Sequence, residues 1–261
     1  MMKYNLPLSD ILPCAVCSFD DVGELLPCRA KSRIPQNAKS VFVYLFPYLL
    51  EDAVYKNSNV SKYAVPRDYH IVAGEYLQKL TEELRERFPR NQFEFFCDNS
   101  PINEVEAAVN CGLGVRGLNG LLINEKYGSY CFIGEIVTDL EVECSSVSKI
   151  HCMQCGLCVE KCPAGAISLN GVDKNKCLSH ITQMKGGLSS ENIDLIKNSG
   201  CIWGCDVCQD VCPMNKNAAV TLIEEFKSTA VSEFVENGNI EDRAYSWRGR
   251  RVIERNLGYI K

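Results

Sequence analysis

The sequence has no long hydrophobic run. Its longest apolar stretch, residues 41–50, is interrupted by Pro47, and nothing approaches the ~18 residues of a membrane-spanning helix. Residues 1–7 (MMKYNLP) lack the apolar segment of an export signal. Both absences predict a cytoplasmic chain with no membrane partner, in which thiols stay reduced. Low-complexity segments are missing as well. So is an excess of basic charge: 28 Lys and Arg stand against 33 Asp and Glu, a net charge of −5. What is abundant is cysteine, 16 in 261 residues. With 46% hydrophobic and 23% charged residues, the chain can bury a core without disulfide staples. A disulfide-built miniprotein is therefore excluded, and so many reduced cysteines point to metal.

Charge is unevenly placed. Residues 1–150 carry 15 basic and 20 acidic side chains, and residues 151–242 carry 7 and 12. The last 19 carry 6 basic and 1 acidic. The body repels polyanions, and only the tail attracts nucleic acid.

Residues 39–46 (KSVFVYLF), 93–97 and 130–137 (YCFIGEIV) read as strands. Residues 68–88 read as an amphipathic helix stopped by Pro89, with Ile71, Leu77, Leu80, Leu84 and Phe88 near helical spacing. Ser100-Pro101 reads as a cap and first turn opening a helix to Cys111. This alternation predicts an α/β domain over 1–148. Composition shifts near Lys149. A cysteine-rich module is expected over 149–217, with a short helix at 191–199 capped by Gly200. A helical, basic tail is expected over 218–261.

The cysteines form a partial repeat: Cys152-x2-Cys155-x2-Cys158-x3-Cys162-Pro163, then Cys205-x2-Cys208-x3-Cys212-Pro213. The first copy is the bacterial ferredoxin run for a [4Fe–4S] cluster, whose fourth cysteine ligates the other cluster. Cluster one then takes Cys152, Cys155, Cys158 and Cys212. Cluster two takes Cys205, Cys208 and Cys162, and needs one more thiolate. Cys201 is one residue off the motif register, whereas Cys177 lies between the copies and can be folded in; the reading favours Cys177. Zinc also binds paired CxxC motifs, but a run of three ending in Cys-Pro is not its usual pattern. The remaining cysteines (14, 17, 28, 97, 111, 131, 144, 201) read mostly as small buried residues. Cys14-x2-Cys17 sits in an expected strand whose alternation would separate the two thiols. His151 and His180 read as structural neighbours of the clusters.

Gly112-x-Gly114-x-x-Gly117 matches the dinucleotide fingerprint in the wrong context, because it follows a helix instead of opening one. Gly112 reads as that helix's cap. The glycines allow backbone to approach something large and flat, or simply make a tight loop.

The chain resembles the epoxyqueuosine reductase family, cobalamin-dependent iron–sulfur enzymes of tRNA modification. The matching segments are RDYH (67–70), CDNSP (97–101), GLGVRGLN (112–119), YGSYCFIGEIVTDL (127–140), the first cysteine run, CLSHITQMKG (177–186), WGCDVCQDVCPMN (203–215) and SWRG (246–249). The resemblance implies a nitroreductase-like α/β domain holding cobalamin, followed by a ferredoxin-like double [4Fe–4S] module. It implies a short form without the C-terminal helical repeats of longer members. Electrons pass singly through the clusters to cobalt, and epoxyqueuosine becomes queuosine. The resemblance makes Asp98 the proton donor, with burial expected to raise its pKa. It makes Cys177 a cluster ligand, and Tyr69, His70, Gly112, Gly114, Asn119 and Ser129 cofactor contacts. Its partners are tRNA and an external one-electron donor such as flavodoxin or ferredoxin. Leu118 stands where many members have Lys, and Val105 and Asn110 where Arg is frequent. The acidic body gives a large RNA a thin electrostatic footprint. Alternatives are reduction of another small epoxide or halide, or electron transfer without catalysis. The long domain before the clusters counts against the last.

Overall fold

The computed structural model describes residue 8 and residues 11–148 and 150–261. The start of the chain and Lys149, at the expected domain boundary, lie outside the described residues. The chain forms β1 (Cys14–Ser18), β2 (Ser40–Pro47), α1 (Tyr69–Arg87), β3 (Phe93–Cys97), α2 (Glu104–Asn110), β4 (Val115–Arg116), β5 (Leu122–Ile123) and β6 (Cys131–Thr138). The cysteine-rich part follows with α3 (Leu157–Glu160), β7 (Ile167–Ser168), β8 (Gly171–Val172), α4 (Leu178–Ile181), α5 (Ser190–Ser199) and α6 (Val207–Asp210). Last come α7 (Glu224–Ser228) and α8 (Arg250–Ile260).

The main sheet has the order β1-β2-β6-β3, and all its pairings are antiparallel. The mixed α/β composition is as expected, but the sheet is not the parallel one that alternating strands and helices suggest. Alternation along β2 sorts side chains to two faces. Phe42, Tyr44 and Phe46 join Val72, Leu77, Leu80 and Leu84 of α1. Val41, Val43 and Leu45 join Ala107 and Ala108 of α2. The sheet is thus buried on both sides, which is why β2 reads as continuously apolar.

α1 starts where Asp68 caps it, accepting the His70 N–H at 3.0 Å. α2 starts later than expected. Asn103 is its cap, accepting the Glu106 N–H, while the Ser100 hydroxyl accepts from Ile102 N–H within the preceding turn. Asp98 and Asn99 adopt left-handed φ values of 54° and 30°, so the chain must turn before a helix can begin. Gly112 ends α2 as read, with φ 84°.

The tail is mostly not helical. Between α7 and α8, residues 229–249 are pinned in irregular form. Asn59 bonds both the carbonyl and the N–H of Phe234 at 2.8 Å, and Arg243 donates to the carbonyls of Val65 and Thr229. Phe234, Ala244 and Tyr245 bury themselves against Trp203 and Val60. Tertiary contacts override helical propensity here. Among the described residues no helix is long and apolar enough to cross a membrane.

Candidate functional site: a cysteine module beside an acid pair

The two cysteine copies interleave. Cys152, Cys155, Cys158 and Cys212 line one cavity of about 340 Å³, together with Gly117, Asn119 and Ile123 of the sheet domain. Cys162 and Cys177 both lie within electrostatic reach of Cys205 and Cys208. The Ala166 N–H donates to Cys162 Sγ at 3.3 Å. Cys201 also lies near Cys205, but its thiol donates to the carbonyls of Trp203 and Gly204 at 3.3 and 3.5 Å. The structure therefore brings together the two quartets that the spacing anticipates.

The donor set fits iron–sulfur clusters. Burial pushes the Cys205 thiol up to about 11 and Cys208 to about 12, so thiolates there require bound positive charge. Among the described residues no three His, Cys, Asp or Glu side chains converge on a single ion. The thiols are spaced for something larger than tetrahedral zinc. His151 and His180 are both exposed.

A polar clamp joins the module to the sheet domain. Ser129 donates its N–H to Asn215 Oδ1 at 2.8 Å, and its hydroxyl accepts from Asn215 Nδ2 at 2.8 Å and Gln209 Nε2 at 3.1 Å. Gln209 also donates to the Tyr48 hydroxyl at 3.1 Å. Gln209 and Asn215 were not singled out from sequence. Their spacing within CQDVCPMN gave no signal, because their partners are distant in the chain.

The cofactor contacts expected from sequence divide. Ser129 is committed to the clamp. Asn119 belongs to the clusters: it lines the first cavity and its side chain donates to Cys208. The close approach permitted by the glycines is to the chain itself. A Cβ at Gly112 would meet the Ser146 carbonyl at 2.0 Å, and one at Gly114 the Ile123 carbonyl at 2.4 Å. The tight-loop reading holds for both. Tyr69 and His70 remain open to a cofactor, their rings 4.0 Å apart, with Tyr69 stacked on Phe132 at 3.9 Å.

Asp98 sits just past β3, where α1 and α2 both begin. In an antiparallel sheet this position owes nothing to the strand-end rule of parallel sheets; converging helix starts create it. His70 Nε2 lies 3.0 Å from Asp98 Oδ2, and His70 Nδ1 lies 2.7 Å from Asp68 Oδ1. Burial alone would lower the His70 pKa, but its two carboxylate partners outweigh it and raise it from 6.5 to about 9. The His70 hydrogen bond, against opposing burial, holds Asp98 below the usual carboxylate range, with help from the Asn99 N–H and the Tyr69 hydroxyl. This reverses the sequence expectation of a raised Asp98. The histidine partner was the missing element, and it keeps the shared proton mainly on imidazole.

Residues 30–99 match the family model described as "Epoxyqueuosine reductase QueG, DUF1730", and residues 151–215 match the "4Fe-4S double cluster binding domain". A curated epoxyqueuosine reductase from Leadbetterella byssophila is 35% identical over 196 residues, covering 74% of this chain and 64% of that protein. The aligned region thus spans less than two thirds of this relative's length. A solved structure of epoxyqueuosine reductase with an epoxyqueuosine-modified tRNA-Tyr stem loop superimposes with TM-score 0.80 at 23% identity, covering 97% of this chain and 78% of that one. A reductive dehalogenase, described as suggesting a mechanism for B12-dependent dehalogenation, matches with TM-score 0.51 at 16% identity over 94% of this chain and 34% of that one. A matching first domain followed by a double-cluster domain, in one continuous fold shared with a solved relative, establishes that this chain belongs to the epoxyqueuosine reductase family.

Proposed function

We propose that the chain is a cobalamin-dependent iron–sulfur reductase that converts epoxyqueuosine to queuosine in tRNA. The observation that carries this is a proton-holding pair, His70 and Asp98, in a domain clamped to a module with two cysteine quartets. Cys152, Cys155, Cys158 and Cys212 hold one [4Fe–4S] cluster; Cys162, Cys177, Cys205 and Cys208 hold the other. Asn119 touches both sites and lies on the route between them. Tyr69 and His70 form the wall against which cobalamin binds, within a domain of nitroreductase-like topology. Cobalamin, when bound, supplies low-potential cobalt chemistry at the epoxide. Electrons enter from a flavodoxin- or ferredoxin-class donor.

At neutral pH the His70–Asp98 pair holds one proton, and Asp98, the outer member, presents it. Asp68 fixes the imidazole from behind and sustains its charge. A positioned acid of this kind contributes about 10² to 10⁴ in rate. For RNA, the chain offers its basic end. Trp247 is exposed, the Arg248 guanidinium stacks 3.7 Å from its ring centroid, and Arg250 and Arg251 follow.

The test is anaerobic reconstitution with iron, sulfide and cobalamin, followed by incubation with epoxyqueuosine-containing tRNA and a reductant. A cobalamin spectrum altered by the protein and appearance of queuosine are expected. The net charge of −5 favours a second reading, a small epoxide or halide substrate. Turnover of such compounds without turnover of the tRNA would establish it.

A further inference from the structure

Removing an epoxide oxygen to leave an alkene breaks two C–O bonds, forms one C=C bond and releases water. It consumes two electrons and two protons. The one-electron donor supplies the electrons, but the His70–Asp98 pair holds only one proton. A second acid lies behind it. Glu135 is in the middle of β6, opposite Val43 on one side and Phe96 on the other. It is fully buried, and neither carboxylate oxygen has a hydrogen-bond partner. Its neighbours on that face are the apolar residues of β2 and α2, including Val43, Phe96 and Ala107. An isolated carboxylate in such a layer costs far too much to persist, so the group takes a proton instead.

We infer that Glu135 and Glu104 store the second proton of the reduction and pass it to Asp98. The inference rests on the function proposed above. The titratable groups that face Glu135 are Glu104 at the start of α2, Cys17 on β1 and Asp98 beyond β3, with the Ser100 hydroxyl nearby. Arg33, over the Phe96 ring, is already paired with Glu94. Glu104 itself faces Asp98 and His70. The acids thus run from the core to the rim in the order Glu135, Glu104, Asp98, His70 and Asp68. Burial raises the Glu104 pKa to about 7, reinforced by Asp98, and burial pushes Glu135 well above the carboxylate range. Glu104 can therefore exchange a proton near neutrality, while Glu135 keeps the reserve. Glu135 touches no substrate; it acts through Glu104 and Asp98. Once Asp98 has delivered its proton, Glu104 reprotonates it and Glu135 refills Glu104.

Infrared spectroscopy of the full chain at neutral pH tests the store directly. A protonated-carboxyl C=O band is expected in the wild type and absent in Glu135→Gln. An unchanged band overturns the proposal. The relay predicts that Asp98→Asn shifts this band, and that Glu104→Gln, nearer the surface, shifts it as well. A band indifferent to both overturns the relay. In single turnover, Glu135→Gln should slow product formation by about 10²-fold or more, with iron content and cobalamin binding unchanged. A Glu135→Gln rate equal to wild type places the second proton in solvent and overturns the inference. A wild type inactive on the tRNA counts against the proposed function alone, since the infrared arms still decide the store.

Discussion

Along β2, Phe42, Tyr44 and Phe46 alternate with Val41, Val43 and Leu45, and all six are buried. Between Cys152 and Cys212 the interior is thin. The small cluster formed by Leu178, Ile181 and Ile196 is its main apolar contact set, and α3, α4 and α6 are four residues each. Helices of one turn have no stability of their own. The sheet domain is therefore held by burial, whereas the module is held by what its thiols bind. The difference explains the composition: one half spends its residues on apolar periodicity, the other on ligands.

The largest expected effect follows from that contrast. Anaerobic chelation of iron should abolish hydrogen-exchange protection across residues 152–212 and leave β2 and β6 protected. Equal loss in both regions would erase the distinction. Next, Cys177→Ala should remove about half of the iron and sulfide, whereas Cys201→Ala should keep all of it. Iron analysis with electron paramagnetic resonance of the reduced protein separates the two. A smaller effect is expected at the junction. Asn215→Ala leaves Ser129 with an unpaired buried N–H and should cost about 1–3 kcal/mol, read by chemical denaturation of the holoprotein. The smallest concerns pH. Because the folded state raises His70 from 6.5 to about 9, its pairing contributes fully below about 6.5 and is lost as pH rises to about 9. His70→Gln should flatten stability across that window. Its solvent-exposed setting keeps the change small.

Legibility in the sequence followed the same division. The strands and α1 were readable because burial on each face imposes a period. Both cysteine quartets were readable because cluster geometry dictates spacing. The start of α2 was misread, since the left-handed turn at Asp98 and Asn99 displaces the cap from Ser100 to Asn103. The irregular run before α8 was invisible because Asn59 and Arg243 impose it from elsewhere in the chain. Asp98 could be picked out, but its ionisation could not, because His70 is 28 residues away in sequence. Glu135 was hidden by its setting: in YCFIGEIV the apolar pattern dominates and the lone acid passes as an interruption.

The account joins an electron-carrying module to a proton-holding pair in one reaction. Its most direct test is mass spectrometry of nucleosides from epoxyqueuosine-containing tRNA, after anaerobic incubation with the fully loaded wild type and with Asp98→Asn. The account predicts queuosine from the wild type and about 10²- to 10⁴-fold slower formation from the variant at equal iron and cobalamin content. Full loading without queuosine, or an Asp98→Asn rate equal to wild type, would contradict it.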